Sequence, residues 1–308
     1  MKKKGLSVIL CTGLMVCMLT ACGGNNKESQ TTTENKVESN QDQSQNQDQS
    51  QNQDETESTT DKKSEKTVVI KAITTNSKQD QYNPATSTIE YKYDNLGNMT
   101  EEIKSVAYGD GSIETSKTVY ENDSVGNQIK EIHYNKDGNV YYSVEYEYDS
   151  NNNKIKQVIY MSDGTLDSTA EGEYNSDNQL IKEVVKKADG SIGNNTEYKY
   201  DSAGNIIEVT AYYSDGSLSY KHTATYDSNN KKLEVLSYCP DYIGKEVYEY
   251  DSTGNLIKTS YYDTEDKVSS YISAEYDEAG NKIKETMYQN DKIKYSTTYE
   301  YKSITVEE

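Results

Sequence analysis

The sequence predicts an all-β protein, a repetitive antiparallel β-meander of hairpin repeats, elongated or curled, carried behind a disordered tether. Three observations lead there. A ten-residue word, Tyr-x-Tyr-Asp-x-x-Gly-Asn-x-Ile, returns at intervals of about 26 residues. Between its copies side chains alternate at the period of a strand, as at Val140, Tyr142, Val144, Tyr146 and Tyr148. The 308 residues include 30 Tyr but no Phe or Trp, only 32% are hydrophobic, and no comparable helical period runs through the array. A wet, half-exposed sheet suits that composition better than a dry sandwich.

Taken from the N-terminus, the first element is an address. Lys2, Lys3 and Lys4 precede an apolar run from Leu6 to Leu19, too short and wrongly flanked for a stable membrane span. The run ends Leu19-Thr20-Ala21-Cys22, which resembles a bacterial lipobox. That resemblance implies cleavage after residue 21, lipid on Cys22, and a chain held at the extracellular face of the cell membrane. Several acyl chains on one residue give stable attachment. Loss of residues 1–21 removes three lysines and no acid, so a chain of net charge −20 becomes more acidic still. Anionic lipid would repel it, and the lipid must therefore be the anchor. Cys11 and Cys17 lie in the leader, so Cys239 is left without a disulfide partner.

Residues 22–66 are the tether. The stretch from Gln41 to Asp54 cycles through Gln, Asn, Asp and Ser and cannot repay its ordering entropy. Residues 67–308 form the folded part, opening with Thr67-Val68-Val69-Ile70-Lys71-Ala72-Ile73. The repeated word follows, with its Asp at 94, 123, 149, 201, 227, 251 and 277 and Asn175 in the same place once. Three residues on, each copy has Gly or Asn, the residues that best tolerate positive φ, so each copy predicts a tight turn with a left-handed bulge residue. The Asp accepts a backbone bond there as in an Asx-turn. Six residues after the Asp, an Ile or Leu column (Ile129 to Ile283) predicts the buried start of a strand. A second turn, marked by pairs such as Asp110-Gly111 and Asp163-Gly164, falls midway. Eight such units predict about sixteen strands, with residues 67–82 capping one end of the array and Ile304-Thr305-Val306 the other.

The word resembles the YD repeat of the Rhs family, as at Tyr200-Asp201-Ser202-Ala203-Gly204-Asn205-Ile206 and Tyr250-Asp251-Ser252-Thr253-Gly254-Asn255-Leu256, and the likeness covers about residues 90–301. It implies a continuous antiparallel sheet that curls, with a link to carbohydrate binding. Large members wrap such a sheet into a shell around a toxin. This chain has too few repeats for a shell on that count, and no C-terminal toxin segment.

Function follows from what is present and what is missing. All 32 basic residues are Lys, and the acidic balance argues against nucleic acid. Two His, without a nucleophile elbow or a metal-ligand motif, argue against an enzyme and against a metal or other cofactor. Turn chemistry accounts for Asp149-Ser150-Asn151-Asn152-Asn153 without calcium. The candidate ligand-binding residues are the Tyr column before the turn: Tyr148, Tyr174, Tyr200, Tyr226, Tyr250 and Tyr276, interrupted at Asn122. Each offers an apolar ring for a sugar and a hydroxyl for its rim; the competing role is to pack the sheet. The expected function is a non-enzymatic surface module binding a glycan or cell-wall polymer. The alternative is an accessory subunit that pairs with another secreted Rhs-type protein through a free sheet edge.

Overall fold

The computed structural model describes residues 63–77, 84–240 and 242–307. The leader and residues 22–62 of the tether, Cys22 included, lie outside the described residues; Lys63 to Lys66, expected to end the tether, are instead the start of a strand because they pair with the C-terminal segment. Within them the chain is strand and turn throughout: β1 (Lys63–Asn76), β2 (Pro84–Tyr93), β3 (Met99–Tyr108), β4 (Ile113–Asn122), β5 (Gln128–Tyr134), β6 (Val140–Tyr148), β7 (Lys154–Met161), β8 (Leu166–Tyr174), β9 (Leu180–Lys187), β10 (Ile192–Tyr200), β11 (Ile206–Tyr213), β12 (Leu218–Tyr226), β13 (Lys232–Cys239), β14 (Tyr242–Tyr250), β15 (Leu256–Tyr262), β16 (Val268–Tyr276), β17 (Lys282–Gln289) and β18 (Lys292–Glu307).

Each strand pairs antiparallel with the next, and β1 pairs with both β2 and β18. The 18-stranded sheet is therefore a closed barrel. The expected sixteen strands become eighteen because both end segments are strands in their own right. The segments expected to cap opposite ends lie along one seam instead: Ile304 to Val306 pair with Lys66 to Ser64, and Thr67 to Asn76 continue the pairing with Ser303 to Tyr295. That pairing is why an array with few repeats still closes.

Register sets the width. Carried from strand to strand, the partners place each Tyr-Asp hairpin about two residues further along than its predecessor, and the offset on returning to β2 is about 18 residues, equal to the strand number. Barrels with that ratio tilt their strands by about 36°. Eighteen strands at a spacing of ~4.8 Å and that tilt have the perimeter of a circle about 34 Å across. Side chains do not fill such a width, and barrels of this strand number enclose water.

The Ile column departs from the expectation. In every unit it is the extra residue of a β-bulge: Glu121 faces Lys130 and Asn122 faces Gln128, so Ile129 has no partner. Lifted out of the ladder, Ile129, Ile181, Leu233 and Ile283 are exposed rather than buried.

The two faces of the wall differ. On a closed sheet, concave-side chains converge and shield one another, so the more shielded face is the inner one. It carries the tyrosines three before the turn Asp, including Tyr91, Tyr120, Tyr146, Tyr198 and Tyr248, and Tyr299 of the partial last copy, with Val144, Val209, Ala211 and Val235 among its most buried residues. The outer face carries a cross-strand charge pair at most Tyr-Asp hairpins, such as Glu147–Lys156 at 2.6 Å and Glu275–Lys284 at 3.1 Å. At Lys92–Glu101 and Lys199–Glu208 the signs are exchanged but remain opposite. Such exposed pairs contribute at most ~1 kcal/mol each and chiefly fix register. Outward residues that are buried include Ser260, Thr286, Thr210 and Val158.

Candidate functional site

The eight Tyr-Asp turns share one rim, and each is built alike. At the first, Gly97 N–H donates to the Asp94 carbonyl at 3.2 Å, Asp94 N–H donates to the Asn98 carbonyl at 2.9 Å, and Asp94 Oδ1 accepts from Leu96 and Asn98 N–H. Gly97 has φ +76, and Asn152, Asn178 and Asn230 take the same left-handed place with φ of 62, 58 and 61. Neighbouring turns are tied by amides, Asn127 Nδ2 donating to Asn152 Oδ1 and Asn205 Nδ2 to Asn230 Oδ1, each at 3.0 Å.

The Tyr column before these turns has a defined structural task. Tyr148 hydroxyl donates to the Gln128 carbonyl, Tyr174 to Lys154, Tyr200 to Leu180, Tyr226 to Ile206, Tyr250 to Lys232 and Tyr276 to Leu256, at 2.7 to 3.0 Å. Each acceptor lies two residues beyond the last rung between consecutive hairpins; β9 and β10, for example, part after Lys182 and Glu197. The phenol takes up the carbonyl that this splaying leaves. Asn122, which interrupts the column in sequence, continues it in space, its Nδ2 donating to the Met99 carbonyl at 3.0 Å. Burial raises the phenol pKa at Tyr148, Tyr174, Tyr200, Tyr226 and Tyr250. The hydroxyls expected to meet a sugar rim are thus engaged by the fold, and the rings are half-buried.

The inner face holds a second polar group. Glu131 Oε2 lies 2.8 Å from His133 Nε2, Glu131 Oε1 accepts from Tyr146 and Gln128, and His133 Nδ1 lies 3.1 Å from Thr118 Oγ1. The His133 ring stacks on Tyr142 at 4.0 Å. Burial pushes the Glu131 carboxyl up, but the bonds from His133 and Tyr146 outweigh it and leave it below the ordinary range. Glu102 and Glu183 are raised by burial. His222 stands apart on β12, with Nδ1 2.7 Å from Ser237 Oγ, and burial lowers its pKa. A serine hydroxyl thus touches His222, while His133 is held by Glu131 and Thr118, and the described residues contain no cluster of metal-ligand type.

A third group was legible in the sequence but not singled out: the column eleven residues after the turn Asp. On the outer face near the opposite rim, Tyr134 pairs with Val140, Tyr160 with Leu166, Tyr212 with Leu218, Tyr238 with Ile243, Tyr262 with Val268 and Tyr288 with Ile293. Ala107 and Lys186 stand in the Tyr position opposite Ile113 and Ile192. Every aliphatic in this row except Leu218 is exposed, Ile113 by 68% and Ile243 by 57%. Among the described residues, no hydrogen bond engages the hydroxyls of these six tyrosines. Large, regularly spaced apolar side chains held in water around a whole rim are the mark of an interaction surface. β1 enters the barrel at the Tyr-Asp rim, so this band lies at the far end.

No family model matches the sequence, and no curated protein matches it. Among solved structures the chain is similar to a porin-like protein from Bacteroides uniformis, at 12% identity and a TM-score of 0.46 over 76% of this chain and 98% of that one. It is also similar to the TcdB2-TccC3-Cdc42 structure, at 11% identity and a TM-score of 0.24 over 72% of this chain, and to TcdB2-TccC3, at 10% and 0.23 over 73%. It spans 17% of each of the latter two chains.

Proposed function

We propose that the chain is a non-enzymatic surface module of the YD-repeat kind, anchored by lipid on Cys22 and carried on residues 22–62, whose barrel binds a glycan or cell-wall polymer. The observation that supports this best is the outward tyrosine row near the rim away from the incoming chain. Its phenols keep uncommitted hydroxyls beside exposed aliphatic partners, and the Tyr238 ring is itself exposed, features a sugar uses. The column before the turns has surrendered its hydroxyls. The accessory-subunit reading draws less support, because β1 and β18 consume each other's edges and leave unpaired backbone only along the ribbon of 63–69 and 302–307.

The test is binding of the purified chain to wall polysaccharide and a glycan panel, beside Tyr238→Ala/Tyr262→Ala and Tyr200→Phe. Saturable binding lost in the double variant, retained in Tyr200→Phe, and accompanied by unchanged circular dichroism is the expected result. Equal binding by all three proteins would remove the outer row from the account.

A further inference from the structure

We infer that the ligand of the outer band is a polysaccharide bearing free amino groups, each ammonium lodging between a row tyrosine and the carboxylate at the tip of the same hairpin. This rests on the glycan reading above and specifies its chemistry.

The barrel contains its own example of such a contact. Lys245 is the strand partner of Tyr262; its Nζ lies 4.1 Å from the centre of that ring and also contacts Asp266 at the hairpin tip. Lys117 repeats the ring contact over Tyr134 at 4.9 Å. Attraction of an ammonium to a phenol face is modest alone and stronger when a carboxylate shares the cation. At two hairpins the tyrosine's strand partner is not a lysine and a tip carboxylate stands one position earlier in the turn, before the glycine that takes Asp266's left-handed place. Ser143 is the partner of Tyr160, and Asn195 is the partner of Tyr212. The tip carboxylates there are Asp163 and Asp215, and both are exposed.

Those carboxylates stay charged. Asp163 Oδ1 accepts from Thr165 Oγ1 at 2.6 Å and N–H at 2.9 Å, and Asp215 Oδ1 accepts the same pair from Ser217. These bonds hold both carboxyls below the usual range. Each aspartate keeps its second oxygen for a cation, and the exposed aliphatic opposite each tyrosine gives the ring an apolar neighbour.

Pitch favours a polymer. The hairpins of this rim follow one another about every 10 Å around the wall, and six of the eight carry the tyrosine and its aliphatic partner. A flexible chain of sugars can follow that curve, whereas a straight cationic helix meets a wall of this curvature at only a few points. The net charge of −20 disfavours anionic polymers over the whole surface.

The experiment compares the full chain binding to glucosamine oligomers and to N-acetylglucosamine oligomers of equal length, with polylysine as a charge control. The expected result is roughly tenfold tighter binding of the free amine, weakening with salt. Asp163→Asn/Asp215→Asn, which keeps the turn bonds, should lower it. Ser143→Lys/Asn195→Lys, which supplies the cation internally, should block it. Equal affinity for both oligomers would overturn the inference while sparing the glycan reading. No binding of either, in a folded chain, would overturn both. Polylysine binding as tightly as the amine oligomer would show charge alone and overturn the sugar assignment.

Discussion

Removing the phenol hydroxyl that closes the gap between hairpins tests the repeat's mechanics most directly. In Tyr200→Phe the ring stays and only the 2.7 Å bond to the Leu180 carbonyl is lost. A neutral bond of this kind is worth about 1 kcal/mol net, and a carbonyl partly reached by water keeps the cost near that value. For a barrel of this size a urea m-value of about 3 kcal/mol/M is reasonable, so the midpoint should fall by about 0.3 M. Tyr148, Tyr174, Tyr200 and Tyr226 donate to four different carbonyls. Their losses should nearly add, to about 4 kcal/mol, a large part of a typical total of 5–15 kcal/mol. Asn122 supplies the converse. Asn122→Tyr restores the column and should be close to neutral, while Asn122→Ala should cost about 1 kcal/mol by losing the bond to Met99. Urea unfolding followed by circular dichroism reads all of these. A fourfold Phe variant with an unchanged midpoint and unchanged m would refute the assignment of these hydroxyls to the fold.

At high pH the inner phenols govern stability. Burial pushes Tyr91, Tyr261 and Tyr299 up to about 12. The unfolded chain therefore loses those protons first, and stability should be full below pH ~10 and fall as pH rises toward 12; pH-jump unfolding should be shallower in Tyr91→Phe. At low pH the turn aspartates act with the opposite sign. The bond from Thr253 leads those that hold Asp251 down to about 2, so its contribution is present above pH ~4 and disappears between 4 and 2. Asp251→Asn should keep the turn and flatten that limb in acid titration. Gly97→Ala should cost more than Gly111→Ala by about 1 kcal/mol in urea, since both have positive φ but only at Gly97 would a Cβ meet Lys66 and Val306. Deleting residues 175–200 removes two strands and about two residues of shear together, so a narrower closed barrel should result; aggregation or loss of strand signal would contradict this modular register.

Turns and strands were legible because their chemistry is local. Gly or Asn three after the Asp marks a left-handed residue wherever the rest of the chain lies, and Asp110-Gly111 marks its hairpin in the same way. Closure was not legible, because it depends on a sum. No single unit reveals that two residues of offset per hairpin accumulate to a full turn, and the bulge responsible is disguised as a continuous strand by an apolar residue such as Ile129. The Tyr column was found, but its bonds to the backbone were not legible, for a related reason. Whether a carbonyl beyond Glu197–Lys182 lacks a strand partner depends on how consecutive hairpins splay, which spacing alone does not express. The outer row could have been found by counting on to Tyr134, Tyr212 and Tyr238, but the more regular word before each turn drew attention from it.

Closure also explains why the end strands need not carry the repeated word. At each Tyr-Asp rim contact the turn glycine is covered by a side chain of the preceding turn: Asn98 lies against Gly126, Gln179 against Gly204 and Lys231 against Gly254. Gly97 belongs to the first turn and has no predecessor in sequence. Lys66 on β1 supplies the missing neighbour, its stem against Gly97 and its Nζ donating to the Gly97 carbonyl at 2.9 Å. β1 thus substitutes for a turn at the point where the ring would otherwise lack one. It also joins β18 along its length and receives the Tyr93 hydroxyl at the Val69 carbonyl, as any strand within the array would. The seam obeys the same local rules as the eight repeats while using different residues. For that reason the end segments appear irregular in sequence yet leave no interruption in the wall.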